Sequence, residues 1–199
     1  MNIIKDIDIF NHFNEYDVIL LGTNTYCTLC NGLQHKVRLD YPEVDKANME
    51  TKYGDPRKLG TRLTISGEPT ISLCYITHGF NFRPDIKPDY LDYEALENCL
   101  RTANVEFANR RVATSVMGSS RFDGNGDKNK ILEIFKECIT RFNITIYDYF
   151  QKSREEELKE EWEEIVKWKD IDYNKFKELV KQRKEKANER RNKNGFAGY

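Results

Sequence analysis

Residues 112–135 read VATSVMGSSRFDGNGDKNKILEIF. The stretch 111–117 is rich in Val, Ala and Thr and predicts a strand. Gly118, Gly124 and Gly126, with Ser119, Ser120 and Asn125 among them, mark a sharp loop that holds its backbone close to something. From Ile131 the apolar residues Leu132, Ile134, Phe135, Cys138, Ile139 and Phe142 recur at helical spacing, and Asp127 is the expected N-cap. Strand, glycine-rich loop and amphipathic helix in that order are a unit of an α/β fold. What the loop approaches is a phosphate, a calcium ion or the protein itself. An EF-hand counted from Asp123 puts Lys128 where glycine is needed and Ile134 where glutamate is needed, which argues against calcium. Phosphate fits better, because backbone N–H groups at a helix start attract anions.

Outward from this unit, DVILLG at 17–22 is a continuous apolar run, as expected of a strand buried on both faces. Residues 61–65, 71–77 and 144–150 are further strand candidates, and 93–103 has helical spacing through Ala95, Leu96, Cys99, Leu100 and Ala103. The order implies a mixed sheet with helices on both faces, a three-layer α/β/α domain over residues 1–150. A second polar loop follows the most apolar strand, from Gly22-Thr23-Asn24 to Asn31-Gly32, before another helical pattern. Loops at the ends of buried parallel strands converge on one cleft in open α/β sheets.

The chain has 199 residues, a formal charge of −1 and 33% charged residues, above the usual quarter. The excess lies in 151–199. Ser153 and Glu156 form a capping box, an acidic segment leads to Trp162, Ile165 and Trp168, and a basic helix is expected from Asn174 onward. This extension reads either as a solvated helical hairpin or as an arm for protein assembly ending in Phe196-Ala197-Gly198-Tyr199. Its basic half lacks interleaved aromatics, and the net charge gives no hint of nucleic acid, so a nucleic-acid partner is not expected. The N-terminus lacks a signal-peptide layout and no apolar run is long enough for a membrane span, so the expected location is cytoplasmic. Five cysteines, an odd number, read as reduced thiols. Cys27 and Cys30 form a lone C-x-x-C with no second pair to close a zinc site, and neither metal nor cofactor is expected.

These segments resemble the macrodomains, modules that bind ADP-ribose and often hydrolyse its conjugates. Asp8-Ile9-Phe10 is similar to the family's Gly-Asp-Ile/Leu-Phe opening, with Ile7 replacing glycine. DVILLGTN resembles its strand ending in asparagine, here Asn24. NGLQ at 31–34 stands where the family has a glycine-rich turn, and KLGT at 58–61 matches a recurrent Lys-Leu-Gly. VATSVMGSSRFDGNGDKNKILEIF is similar to the family's second loop and helix, with Gly118 on its first glycine and Asp127 on its aspartate, and ITIYDY resembles the closing strand. The likeness is greatest to the branch that includes terminal ADP-ribose glycohydrolases and macro-like proteins of bacteriophages.

The resemblance implies that Asp8 accepts from the adenine amino group beside the Ile9 backbone, and that Asn24 meets the distal ribose. Asn31, Gly32, Gly118, Ser119, Ser120, Arg121 and Phe122 would cradle the diphosphate, and Tyr149 or Phe150 would stack on adenine. For chemistry it offers His78 near the branch's lysine nucleophile and Asp123 near its catalytic aspartate, displaced by an insertion. The implied activities are binding of ADP-ribose and hydrolysis of ADP-ribosyl conjugates or of ADP-ribose 1''-phosphate. The first loop departs from the family: it lacks the usual run of glycines, and Tyr26, Leu29 and Gln34 bring bulk where the distal ribose lies in the family, which implies a changed substrate or a cleft that no longer binds. The rival reading is a structural or virion protein that retains the scaffold and docks through residues 151–199.

Overall fold

The computed structural model describes residues 1–29, 32–78, 90–120 and 124–149. The candidates Asn31, Arg121, Phe122, Asp123 and Phe150, and the extension 151–199, lie outside the described residues.

Among the described residues, six strands form one sheet in the order β1-β6-β5-β2-β4-β3. They are β1 (Asn2–Lys5), β2 (Val18–Asn24), β3 (Arg62–Ile65), β4 (Thr70–Thr77), β5 (Val112–Ser115) and β6 (Ile144–Asp148). The pairs β1·β6, β6·β5, β5·β2 and β2·β4 are all parallel, and the edge strand β3 runs antiparallel to β4. The helices are α1 (Gly32–Asp40), α2 (Pro42–Glu50), α3 (Tyr93–Glu106) and α4 (Lys128–Cys138), with a 3-10 turn at Ile9–Glu15. Among the described residues no helix is long and apolar enough to cross a membrane.

All of β2 is buried, and its side chains alternate between two cores, as the two-residue period of a strand requires. Val18 and Leu20 join Cys74, Ile76, Val112, Ile144 and Ile146 beneath α3 and α4. Ile19 and Leu21 join Ile71, Leu73, Ala113 and Tyr147 on the other face, beneath Ile9, Phe13, Val37 and Val44. Helix α3 faces the first core with Ala95, Leu96, Cys99, Leu100 and Ala103, the spacing legible in the sequence. The result is the expected three-layer arrangement of a mixed sheet between helical layers.

At the end of the sheet opposite the glycine-rich loop, Asp17 joins three strand starts. Its carboxylate accepts from the Arg111 backbone N–H at 2.9 Å and from the Arg111 guanidinium at 2.8 Å. Its own N–H donates to the Arg111 carbonyl at 2.9 Å, and its carbonyl accepts from Thr70 N–H at 3.0 Å. Hydrogen bonds from Arg111, with its charge and that of Arg110, hold the Asp17 carboxyl down at about 2. An unfolded aspartate titrates near pH 3.9. A lowered folded-state pKa stabilises above that value, and the stabilisation disappears as the pH falls through about 2. Asp17→Asn is expected to melt below wild type at pH 7. The difference, modest and screened by salt because the pair is exposed, should shrink between about pH 4 and pH 2 when both proteins are followed by thermal circular dichroism.

Candidate functional site

Because β1, β6, β5, β2 and β4 are mutually parallel, their C-terminal ends lie along one edge of the sheet. Each of those ends carries a candidate from the sequence: Asp8 after β1, Tyr149 after β6, Gly118 after β5, Asn24 closing β2 and His78 after β4. Gly32 opens α1 with φ +46°, in open space.

Asp8 caps the 3-10 turn, accepting from Phe10 N–H at 3.0 Å through Oδ1, and pairs with Lys36 of α1 through Oδ2. The Lys36 ammonium also lies 5.5 Å from the centre of the Phe10 ring. A carboxylate has about four acceptor sites, so these two partners leave acceptor capacity on a carboxylate that is 18% exposed. Ile9 beside it is buried. Nearby, Tyr147 shares a hydroxyl–hydroxyl contact of 2.9 Å with Tyr16, and burial together with that bond pushes its phenol up. Tyr149, two residues on, is 45% exposed.

Asn24 is buried, and its side chain binds the loop that follows it. Nδ2 donates to Thr28 O at 3.1 Å and to Thr28 Oγ1 at 2.7 Å, while Oδ1 accepts from Tyr26 N–H at 3.0 Å. The β2·β4 register slips between Thr23 and Asn24, and Gln34 Nε2 donates to the Gly22 carbonyl at 2.8 Å, fastening α1 to the strand. Leu29 is buried in the core under α1. The bulk of Leu29 and Gln34 is therefore absorbed beneath the loop. Tyr26 instead packs against Tyr53 and His78, with ring centres 5.2 and 5.3 Å away. His78 is exposed, and its Nδ1 is 2.7 Å from Thr25 Oγ1, which fixes the ring and leaves Nε2 as the second nitrogen.

The second loop folds on itself. Gly118 has φ +77°, and a Cβ there would sit 2.6 Å from Leu91 Cδ1. A Cβ on Gly124 would sit 2.6 Å from the Gly118 carbonyl oxygen. Gly126 N–H donates to that oxygen at 2.9 Å, and the Gly124 and Asn125 N–H groups donate to Ser120 O at 3.2 and 2.9 Å. The Gly124 carbonyl accepts from Tyr90 and Leu91 N–H at 2.7 and 3.1 Å. Ser119 Oγ donates to Val116 O at 2.7 Å. Asp127 caps α4 as expected, accepting from Lys130 N–H at 2.9 Å, and Lys128 of the first turn pairs with Asp148 at the end of β6. The glycines at 118, 124 and 126 thus serve close approach within the protein, Gly118 and Gly126 against Leu91 and Gly124 against the Gly118 backbone.

Sequence reading did not find Lys36, Thr25, Thr28 or Leu91. Each acts through a contact with a candidate far from it or unremarkable beside it, such as Lys36 with Asp8, and single-sequence patterns carry no signal for such pairs.

No family model matches the chain, and a comparison with curated proteins gives no match. Solved structures do match. A Thermosipho africanus DarTG in complex with ADP-ribose is 13% identical with a TM-score of 0.58, over 79% of this chain and 44% of that one. The macrodomain of Thermus aquaticus DarG is 11% identical with a TM-score of 0.53, over 75% of this chain and 97% of that one. A macrodomain protein from Streptomyces coelicolor is 16% identical with a TM-score of 0.55, over 75% of this chain and all, 100%, of that one. The chain has the macrodomain fold.

Gly124→Ala is expected to destabilise the domain by about 1–3 kcal/mol, the usual cost of overpacking, because its Cβ meets a backbone oxygen that cannot swing aside. Ser119→Ala, which removes one part-buried hydroxyl bond and adds no clash, should cost less. Urea unfolding of the two variants and wild type measures the difference.

Proposed function

We propose that this protein binds ADP-ribose in a cleft along the C-terminal edge of its sheet. The observation that carries the reading is the placement of Asp8, Tyr149, Gly118, Asn24 and His78 at the ends of five neighbouring parallel strands. This is the edge where open α/β sheets bind ligands. The fold shared with a DarTG structure in complex with ADP-ribose supports the choice of nucleotide.

In this reading the Asp8 carboxylate accepts from the adenine amino group with its remaining lone pairs, while Lys36 and Phe10 N–H hold it in place. Tyr149, exposed beside Asp148, stacks on the adenine ring. The start of α1 at Gly32 and the turn at Gly118 take the diphosphate, since helix starts and tight turns present N–H groups to anions, while the Ser119 N–H and hydroxyl hold that turn through the Val116 carbonyl. Asn24 contributes through the shape of the loop it pins, because its own polar atoms are engaged with Thr28 and Tyr26.

The finer part of the proposal is hydrolysis at the distal ribose, of an ADP-ribosyl conjugate or of ADP-ribose 1''-phosphate. His78 is the group suited to moving a proton there: Thr25 anchors Nδ1 and Tyr26 lies against the ring, so Nε2 is presented in a set orientation. Asp123 is the second proposed catalytic group.

Calorimetric titration of ADP-ribose into the full-length protein is expected to give micromolar binding, about −8 kcal/mol. Asp8→Ala, checked for folding by circular dichroism, should weaken it at least about tenfold. His78→Ala should leave that affinity within about threefold while abolishing turnover of an ADP-ribosylated substrate. Absence of heat for the folded wild-type protein at several temperatures would overturn the binding reading.

A further inference from the structure

Near the loop after β2, a cysteine and a lysine meet that the nucleotide reading does not use. Lys58 Nζ donates to Cys27 Sγ at 3.0 Å and to Thr51 Oγ1 at 2.9 Å, and Cys27 Sγ is 3.2 Å from the same Thr51 oxygen. The three side chains close a triangle between the first loop, the end of α2 and the segment before β3.

Each corner is held independently. Cys27 has φ +57°, a left-handed conformation uncommon outside glycine and asparagine. It is kept there by the Asn24 bonds on either side of it, to Tyr26 and Thr28. Thr51 Oγ1 donates to Asn48 O at 2.7 Å. Lys58 ends a short 3-10 turn capped by Asp55, which accepts from Arg57 N–H at 3.0 Å and takes its guanidinium in a fork. The Lys58 ammonium also rests 4.8 Å from the centre of the Tyr75 ring, whose hydroxyl donates to Asn48 Oδ1 at 2.8 Å. Sulfur and nitrogen are therefore presented to each other rather than meeting by side-chain drift.

Access separates Cys27 from the other described cysteines. Cys27 is half-buried, whereas Cys74, Cys99 and Cys138 are buried. A hydrogen bond with Cys74 and burial push the Cys99 thiol up, and burial does the same to Cys138, so these sulfurs are poor nucleophiles. Among the described cysteines, a small oxidant meets Cys27 first.

We infer that Cys27 and Lys58 are a site of reversible oxidative cross-linking, in which a peroxide joins Sγ to Nζ directly. The Cys27 sulfur attacks one oxygen of hydrogen peroxide. The O–O bond breaks, an S–OH group forms, and the other oxygen leaves as water with the thiol proton. Lys58, having lost its extra proton to solvent, attacks that sulfur with its amine lone pair. The S–O bond breaks, the S–N bond forms, and the hydroxyl leaves as water with a proton from nitrogen. Sulfur is oxidised by two electrons, and the peroxide is reduced by the same two, to two waters in all. Sulfenic acids already condense with backbone nitrogen in this way, and here a side-chain amine stands in contact. The product fastens the loop carrying Thr25 and Tyr26 to the segment ahead of β3, and thiols or a phosphine reverse it. This inference does not depend on what the cleft binds.

The test is peptide mapping of the full-length protein after brief treatment with hydrogen peroxide, blocking of remaining thiols and cleavage at acidic residues. The expected result is a fragment containing Cys27 joined to one containing Lys58, lighter than their sum by two hydrogens and separated by phosphine. In Lys58→Arg, which keeps the charge, the linked fragment should vanish and Cys27 should be captured by dimedone as its sulfenic acid. The wild-type map decides even if that variant fails to fold. A disulfide to the neighbouring Cys30, a sulfenic acid captured equally with Lys58 present or replaced, or oxidation of the buried cysteines as fast as Cys27 would each overturn the inference.

Discussion

Everything in this domain is arranged around the burial of β2. The strand is paired on both sides, to β4 and β5, and covered on both faces, so its backbone is satisfied by ladders and its side chains by two separate cores. A strand in that position has no polar face, which is why VILLGTN tolerates polar residues only towards its end, where the ladder with β4 slips. Parallel pairing then requires a crossover between successive strands, and the crossovers supply the helices that cover the faces. The same parallelism gathers the loops after five strands on a single edge. The candidate site follows from the way the core is buried.

At that edge, polar side chains do structural work before any ligand arrives. Asn24, Gln34 and Thr25 are buried, and each ties the first loop to something fixed: its own backbone, the Gly22 carbonyl or the His78 ring. A buried amide left unpaired would cost on the order of 1–3 kcal/mol, so these bonds define one conformation of a loop with few glycines. The bulky residues of this loop do not fill the edge indiscriminately, since Leu29 turns into the core and Tyr26 sits edge-on to Tyr53 and tilted against His78. The second loop reaches the same end differently. Its glycines let the chain cross itself at the Gly118 carbonyl, with Leu91 wedged against the crossing.

Several elements that sequence reading passed over owe their existence to partners. The strand β1 is four residues, NIIK, with mostly exposed side chains, and it is a strand because β6 offers a parallel edge. Helix α2 follows Tyr41, which caps it with no side-chain hydrogen bond, and it buries Val44 and Asn48, too thin a stripe to read as periodic. Boundaries moved for the same reason. The spacing predicts α4 over 130–142, but it runs Lys128–Cys138, because Asp127 caps its start and Asn104 of α3 accepts the Thr140 and Arg141 N–H groups at 2.9 and 2.8 Å. The strand predicted over 111–117 stops at Ser115, where Met117 N–H turns back to the Ser115 carbonyl at 2.8 Å.

What the sequence by itself determined is the set of features written in local order: the doubly buried strand at 17–22, the spacing of α3, the cap at Asp127 and the glycines of the second loop. Periodicity and turn chemistry are properties of neighbouring residues, so one chain suffices to read them. The tertiary structure alone decided which side chains share a site. Asp8 with Lys36, Thr25 with His78, Gly118 with Leu91, and Cys27 with Lys58 are brought together by parallel crossovers that return each strand to the same edge. Such contacts join residues many positions apart, and no spacing within a single sequence encodes them.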